Sequence, residues 1–305
     1  MFLCIFGRQH RPLKILLYTN LVKAGDEVFI RQLMDKMEEK AMEVGVMHAG
    51  LLDLLGFVRP GEVYPLVTGR AEVESFSPDF ILSLGGDGTM LKAASLACEA
   101  RVPLLGINLG RLGFLSNVEK MHVDQAIDKL AAGQYVIEER SMLAVTGNKP
   151  LFAAQPYALN DFTLHKRDTS SMITIHTYID DEFLNTYWAD GLIVATPTGS
   201  TGYSLACGGP IIFPGSRSFV ITPIAPHNLN MRPLVIRDDV RISFAIEGRA
   251  ENFLCTMDSR YETITDEYKI TVHKAAYTTR LVVLEGMRYM ATMREKLLWG
   301  LDKRN

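Results

Sequence analysis

Phe80-Ile81-Leu82-Ser83-Leu84 runs straight into Gly85-Gly86-Asp87-Gly88-Thr89. The first five residues suit a strand buried on both faces, and three glycines in the next four allow a tight turn. Thr89 to Ala100 then reads as a helix that Thr89 is placed to cap. Upstream, Lys14-Ile15-Leu16-Leu17-Tyr18 is a second buried strand, and Ile30, Leu33, Met34, Met37, Ala41 and Val44 recur at helical spacing. Downstream, Val102 to Ile107 is a third strand, and a helix from Val123 to Ala132 stops at Gly133. Strands alternating with helices over roughly 120 residues predict an α/β domain with a parallel, Rossmann-like sheet covered on both faces.

From Tyr135 the pattern changes. Tyr135–Val145, Ala158–His165, Met172–Ile179, Leu192–Thr196, Phe219–Pro223, Val240–Glu247, Tyr268–His273 and Arg280–Leu284 read as strands separated by Gly, Pro, Asn and Asp clusters. They predict a β-rich, sandwich-like second domain. Helical spacing returns over Met287–Trp299 through Met290, Met293, Leu297 and Leu298, and this helix is expected to pack back on the N-terminal domain. The expected division is 1–133 with 286–305, and 134–285.

Composition narrows the function classes. Of 305 residues, 48% are hydrophobic and 22% charged, with 32 Lys and Arg against 35 Asp and Glu. A net charge of -3 gives no overall attraction to nucleic acid or anionic lipid, so neither is an expected partner, and any anionic ligand needs a local site. Cys4, Cys98, Cys207 and Cys255 form no CxxC pair and read as small core residues of a reducing compartment. Met1–Phe6 is apolar but is followed by Arg8, His10, Arg11 and Lys14, unlike a secretion signal. No run approaches the ~18 apolar residues of a membrane span, and the expected location is the cytoplasm. The seven histidines show no ligand spacing, so no structural metal is expected.

The glycine loop places backbone N–H groups at a helix start and at the carboxyl end of a parallel strand, a setting that favours phosphate. Gly85, Gly86, Gly88 and Thr89 are its candidate phosphate ligands. It is neither GxxxxGK[ST] nor GxGxxG, since Leu91 stands where the last glycine belongs. Asp87 adds a negative charge there, which suits proton abstraction from a hydroxyl beside the phosphate, help to a bound Mg2+, or a simple Asx-turn or cap. Thr196-Pro197-Thr198-Gly199-Ser200-Thr201-Gly202-Tyr203-Ser204, continued by Leu205-Ala206-Cys207-Gly208-Gly209-Pro210, offers many small donors, as a nucleotide pocket or a flexible surface loop would. Asn160-Asp161 and Asp190-Gly191 place polar residues in or beside strands, as ligand contacts or strand ends do.

Together these segments resemble the NAD kinase family. Gly85–Thr89 is similar to its GGDGT loop, and Gly106-Ile107-Asn108-Leu109-Gly110-Arg111-Leu112-Gly113-Phe114-Leu115 to its GxNxGxLGFL segment. Asn160-Asp161 sits where the family has an Asn-Glu pair, Asp190 to Ser204 resembles DGLxxxTPTGSTxYS, and Pro226-His227 with Arg232 to Ile236 resembles a later landmark. The resemblance implies transfer of the ATP γ-phosphoryl group to the adenosine 2′-hydroxyl of NAD, with Asp87 as general base and Mg2+ accompanying ATP. It implies NAD contacts from Asp87, Gly88, Lys92, Asn160, Asp161, Asp190, Thr201, Gly202, Tyr203, Ser204, Leu205 and Ala206, with Asn108, Ser171 and Arg260 as further candidates. It also implies a homodimer or homotetramer.

Three departures stand out: Asp161 for the usual Glu, Gly202 where Ala is common, and Trp188 with Arg260 at positions where Arg and an amide residue are frequent. GGDGT is shared with lipid kinases, so a lipid kinase and a dinucleotide sensor without turnover are the alternatives. A dehydrogenase would need the full GxGxxG.

Overall fold

The computed structural model describes residues 11–20, 23, 25–97, 99–110, 113–152, 155–167, 171–248 and 251–299. The N-terminal stretch Met1–His10, Cys4, Cys98 and the Arg111-Leu112 step lie outside these residues. The chain divides into two compact units, one of Met1–Ala93, Val102–Ile137 and Val282–Asn305, the other of Ala94–Arg101 and Glu138–Leu281. Residues 94–101, on the N-terminal side of the expected division, therefore group with the second unit.

In the first unit, β1 (Lys14–Tyr18), β2 (Glu43–Val46), β3 (Phe80–Leu84), β4 (Leu104–Asn108) and β5 (Val118–Glu119) pair in parallel in the order β2-β1-β3-β4-β5. Every residue of β3 and β4 is buried, as a parallel strand covered on both faces requires. The helices are α1 (Glu27–Glu39), α2 (Ala49–Val58), α3 (Arg70–Phe76), α4 (Asp87–Ala97) and α5 (Val123–Ala131). Phe29, Ile30, Leu33, Met34 and Met37 of α1 join Leu51 and Leu55 of α2, Ile127 and Leu130 of α5, and Ile15, Leu17, Leu82 and Leu105 of the sheet in one core. Each such side chain contributes about 1.5–3 kcal/mol of burial.

Two expectations shorten here. The first helix was expected through Ala41 and Val44, but Ala41 takes φ 51° and the Met42 N–H closes on the Met37 carbonyl at 3.0 Å. This left-handed closure ends α1, and Val44 belongs to β2, its spacing from Met37 helical only by coincidence. The other helix begins at Asp87 and ends at Ala97, so Thr89 lies inside the first turn and does not cap it.

In the second unit, β8 (Asp161–Lys166), β11 (Gly191–Ala195), β12 (Ser218–Ile224), β13 (Leu234–Arg237), β15 (Phe253–Met257) and β16 (Arg260–Ile264) form an antiparallel sheet in the order β13-β12-β11-β8-β15-β16. A second layer runs β10 (Glu182–Ala189), β9 (Ile173–Ile179), β14 (Ile242–Glu247) and β17 (Ile270–Leu284), with β6 (Tyr135–Gly147) beside β17 and β7 (Tyr157–Ala158) beside β6. Phe162, Leu164, Val194, Phe219 and Phe253 of the first layer meet Ile175, Ile242, Phe244 and Val272 of the second in one core. The Phe162 and Phe244 rings stack with centroids 5.8 Å apart. The sandwich-like expectation therefore holds.

The single strand Ile270–Leu284 replaces the two expected over Tyr268–His273 and Arg280–Leu284, and the one expected over Ala158–His165 is broken at Leu159-Asn160. Short α6 (Tyr203–Ala206) follows β11, and α7 (Tyr289–Leu297) groups with the first unit. Of the apolar stripe expected on α7 only Met293 is buried; Met290, Leu298 and Trp299 are more than half exposed. Among the described residues no helix is long and apolar enough to cross a membrane.

Candidate functional site

The order β2-β1-β3 places a topological switch between β1 and β3, where chain connections leave the sheet in opposite directions at the strand carboxyl ends. The glycine loop is there. The Asn20 amide, just past β1, donates to the Thr89 hydroxyl at 3.4 Å across that gap. Gly85 has φ +150°, and a Cβ on it would lie 2.4 Å from the Thr89 hydroxyl, so glycine is required. Gly86 and Gly88 differ: both are exposed, and a Cβ on either would meet nothing within 4 Å. Their lack of side chains serves no packing need of the protein and leaves the loop open to a ligand.

Asp87 is held by the loop that follows β4. Its Oδ2 accepts from the Phe114 N–H at 2.9 Å, and its Oδ1 from the Leu115 and Ser116 N–H groups at 3.0 and 2.9 Å. Gly113 is essential to this arrangement, because a Cβ there would fall 2.0 Å from Asp87 Oδ1. Asp87 is thus neither an Asx-turn nor a bare cap; it ties the start of α4 to residues 113–116. Lys92 is exposed on α4, and Asn108 is buried with its side-chain oxygen accepting from the Gly110 N–H at 2.7 Å.

In the second unit the Thr196–Ala206 segment wraps the end of β11 against Asn160. The Thr196 N–H donates to the Asn160 carbonyl at 2.9 Å, and its hydroxyl donates to the Leu159 carbonyl at 2.6 Å while accepting from the Gly199 N–H at 3.1 Å. Gly199 lies so close that a Cβ would sit 2.1 Å from the Asn160 carbonyl oxygen. Ser200 and Ser204 are buried, bonded to Pro197 and Ile212 and to Thr222, so their hydroxyls build the loop rather than face solvent. Gly202, Tyr203 and Ala206 are exposed, Thr201 and Leu205 partly so. Among the described residues the buried Asn160 side-chain oxygen has no hydrogen-bond partner, which leaves it an acceptor open to a donor.

Asp161 is 8% exposed, and burial, reinforced by the charge of Asp258 and opposed by the Thr163 hydroxyl, pushes its carboxyl up to about 7. Asp258, at φ 51° in the two-residue turn between β15 and β16, accepts from the Leu159, Asn160 and Asp161 N–H groups at 2.9, 2.8 and 3.2 Å. Burial pushes its carboxyl up as well, against those three donors and Arg260. Two neighbouring carboxyls pushed up by burial, one of them further by the charge of the other, are a feature that clusters at functional sites. Gly113 and Gly199 stand in the quoted glycine-containing segments with no role assigned to them, and Asp258 lies in none of those segments.

Asp190 is separate. It pairs with Lys166 at 2.6 Å at the far end of β8 and β11, five strand steps or about 17 Å from Asp161. Tyr203 connects the two electrostatically: burial raises its phenol first, and nearby Cys207, Asp161 and Asp190 add to the shift. Trp188 is 52% exposed and packs on His227 with centroids 4.7 Å apart. Arg260 does not stand free as a ligand; it donates to the Gln155 and Tyr157 carbonyls. Ser171 is partly buried just before β9. Cys255 is fully buried and Cys207 partly so, and among the described residues no three His, Cys, Asp or Glu side chains gather as metal ligands.

Comparison with known proteins adds a family. Residues 14–135 match the ATP-NAD kinase N-terminal domain, and residues 159–284 the ATP-NAD kinase C-terminal domain. The NAD kinase of Cytophaga hutchinsonii is 51% identical over 228 residues, 75% of this chain and 78% of that protein. That of Christiangramia forsetii is 40% identical over 297 residues, 96% of this chain and all of its own. Among solved structures, yeast NADH kinase complexed with NADH superposes with a TM-score of 0.81 at 23% identity, covering 96% of this chain and 90% of that one. An NAD kinase from Archaeoglobus fulgidus in complex with ATP gives 0.71 at 23% identity, covering 94% and 99%.

Proposed function

This chain belongs to the ATP-NAD kinase family, and from that premise we propose that it phosphorylates NAD with ATP as donor. The observation that carries the proposal is the match of both family domains along the chain, at 51% identity to a protein named NAD kinase. In the reaction the adenosine 2′-oxygen of NAD attacks the γ-phosphorus of ATP, the bond to the β-phosphate oxygen breaks, and ADP leaves as NADP forms.

Asp87 takes the 2′-hydroxyl proton. A carboxylate has about four lone-pair directions, and three of this one are engaged by backbone N–H groups, so one remains for the incoming proton. The same three donors fix the oxygen in place, which favours proton transfer by orientation. Gly85, Gly86, Gly88 and Thr89 receive phosphate at the start of α4, and exposed Lys92 adds positive charge nearby. Asn160 uses its unpartnered oxygen to accept from the nucleoside, and Asp161 accepts from a hydroxyl. The exposed part of Thr201–Ala206 lines the dinucleotide pocket, and Asp190 lies toward the nicotinamide end. The family implies a divalent metal. The carboxylates here fit a resident ion poorly, since Asp87 is occupied by amides, so Mg2+ enters as part of the ATP substrate. A homodimer or homotetramer is the assembly proposed.

The test is NADP formation from purified protein, NAD and Mg-ATP, read by an NADP-specific dehydrogenase. A folded protein that binds NAD yet forms no NADP would overturn the proposal.

A further inference from the structure

Asp258, Arg260 and Glu262 are spaced by two and turn to one side, while Ser259, Tyr261 and Thr263 between them are exposed. Each of the three grips the backbone of the segment that leads into Asn160-Asp161. The Glu262 carboxylate accepts from the Phe152 N–H at 2.8 Å. The Arg260 guanidinium donates to the Gln155 and Tyr157 carbonyls and lies over the Phe152 ring. The Asp258 carboxylate accepts from the Leu159, Asn160 and Asp161 N–H groups. Six backbone groups of residues 152–161 are thus held by three side chains along one edge, over a stretch whose described residues pair as a strand at the short β7 and again at Asp161, where β8 begins.

We propose that Asp258 and Arg260 are positioning residues for NAD: the edge from Asp258 to Glu262 is a clamp that sets where the Asn160 amide and the Asp161 carboxylate are presented. The inference rests on the assignment of Asn160 and Asp161 to NAD made above. A hydrogen-bonding side chain moved by a fraction of an ångström loses its partner, while the ATP phosphates, assigned to the glycine loop, do not depend on this segment. Asp258 has a second effect, as a like charge beside Asp161. The other groups facing that carboxylate are the Thr163 hydroxyl on β8 and the Tyr203 phenol on α6, with Arg260 on β16 acting on Asp258.

The experiment compares the full-length wild type with Arg260→Ala and Asp258→Asn, measuring kcat, KM for NAD, KM for ATP, melting temperature and the pH profile of kcat/KM for NAD. Expected for both variants is a rise of about tenfold in KM for NAD, with KM for ATP held within about twofold. Asp258→Asn additionally moves the acidic limb of the profile to lower pH, because Asp161 loses its like-charged neighbour. An unchanged KM for NAD in both variants overturns the inference, as does a common rise in both KM values with a lowered melting temperature. Should Asp258→Asn not fold, Arg260→Ala decides alone on the split between the two KM values. If the wild type forms no NADP the kinase reading fails separately, and calorimetric titration with NAD still tests the clamp: unchanged affinity in Arg260→Ala refutes it.

Discussion

Gly113→Ala changes no chemical group of the reaction and yet is expected to reduce turnover strongly. The position has no positive φ, so alanine is conformationally acceptable there. The added Cβ, however, falls 2.0 Å from Asp87 Oδ1 and 2.7 Å from its Cγ, where ordinary contact begins at 3.4 Å. The carboxylate must retreat by more than an ångström. Oδ1 carries the bonds from Leu115 and Ser116, and both are lost or stretched together with the one on Oδ2. At about 1.5–3 kcal/mol for a hydrogen bond to a charged group, and with the loop free to relax in part, the first unit should lose about 2–4 kcal/mol. A misplacement of this size at a reacting group costs on the order of 100-fold in rate. Steady-state NADP formation gives the rate, and a calorimetric or circular-dichroism melt gives the stability. Turnover within about threefold of wild type, at unchanged stability, would refute the reasoning, since it would mean that Asp87 does not need its amide cradle. Asp87→Asn is the companion: turnover should fall by about 10²–10⁴-fold, and the loop should loosen too, because the amide turns its NH2 toward a backbone N–H.

The other predictions separate packing from chemistry. Gly88→Ala meets no protein atom and adds helix propensity to α4, so the melt should be unchanged or raised by up to ~1 kcal/mol while activity falls; full activity would show that no ligand comes close there. Gly199→Ala drives a Cβ against the Asn160 carbonyl, backbone against backbone, and should cost about 3 kcal/mol or more along with NAD affinity; a soluble variant with wild-type affinity would contradict this. Asp161→Asn tests the raised carboxyl. Asp161 titrates near 3.9 when unfolded and near 7 when folded, so the folded state holds the proton more tightly. Wild-type stability relative to Asp161→Asn should therefore decline as pH rises from about 4 to about 7, by up to ~4 kcal/mol, and stay level above. Urea unfolding of both proteins at pH 5 and pH 8 checks the sign; a difference independent of pH would be inconsistent with it.

Much of the frame was legible because burial and period leave direct marks. Lys14–Tyr18 and Phe80–Leu84 are strands over the residues expected, as unbroken apolar runs in a covered parallel sheet should be. Sequence reasoning passed over β2, β5, β10, β13, β15 and β16; of these β10, β13 and β16 carry exposed or half-buried residues such as Phe183, Trp188, Leu234 and Tyr261, so their alternation is weak, while β2, β5 and β15 are too short to establish a period. The middle of Ile270–Leu284, between the two strands expected, holds the polar Lys274 and Thr278-Thr279, which the long strand accommodates with Lys274 exposed and Thr279 buried, its hydroxyl donating to the Met142 sulfur. Of the residues proposed for the site, Asp87, Asn160 and Asp161 were legible by type and motif. Asp258 was not, because its importance lies in three backbone N–H groups nearly a hundred residues earlier in the chain, and backbone groups have no sequence signature. The alternation Asp258, Arg260, Glu262 was the available clue, and period-two polar residues also occur on any solvated strand face.

The glycines show the same limit in sharper form, and show how structure resolves it. In sequence Gly85, Gly86, Gly88, Gly113 and Gly199 are alike. In space, Gly85, Gly113 and Gly199 are each pressed by an atom of the chain itself, the Thr89 hydroxyl, the Asp87 carboxylate and the Asn160 carbonyl, so packing alone accounts for the missing side chain. Gly86 and Gly88 face empty space, and neither has a positive φ that would require glycine. Gly86 precedes α4, where glycine caps a helix better than alanine does, but Gly88 lies inside the first turn, where glycine lowers stability relative to alanine, so Gly88 needs a reason beyond the described residues. In the proposed reaction a phosphate group approaching the backbone N–H groups of the first turn of α4 supplies that reason, and Gly113, by lacking a side chain, leaves room for the Asp87 carboxylate in that turn.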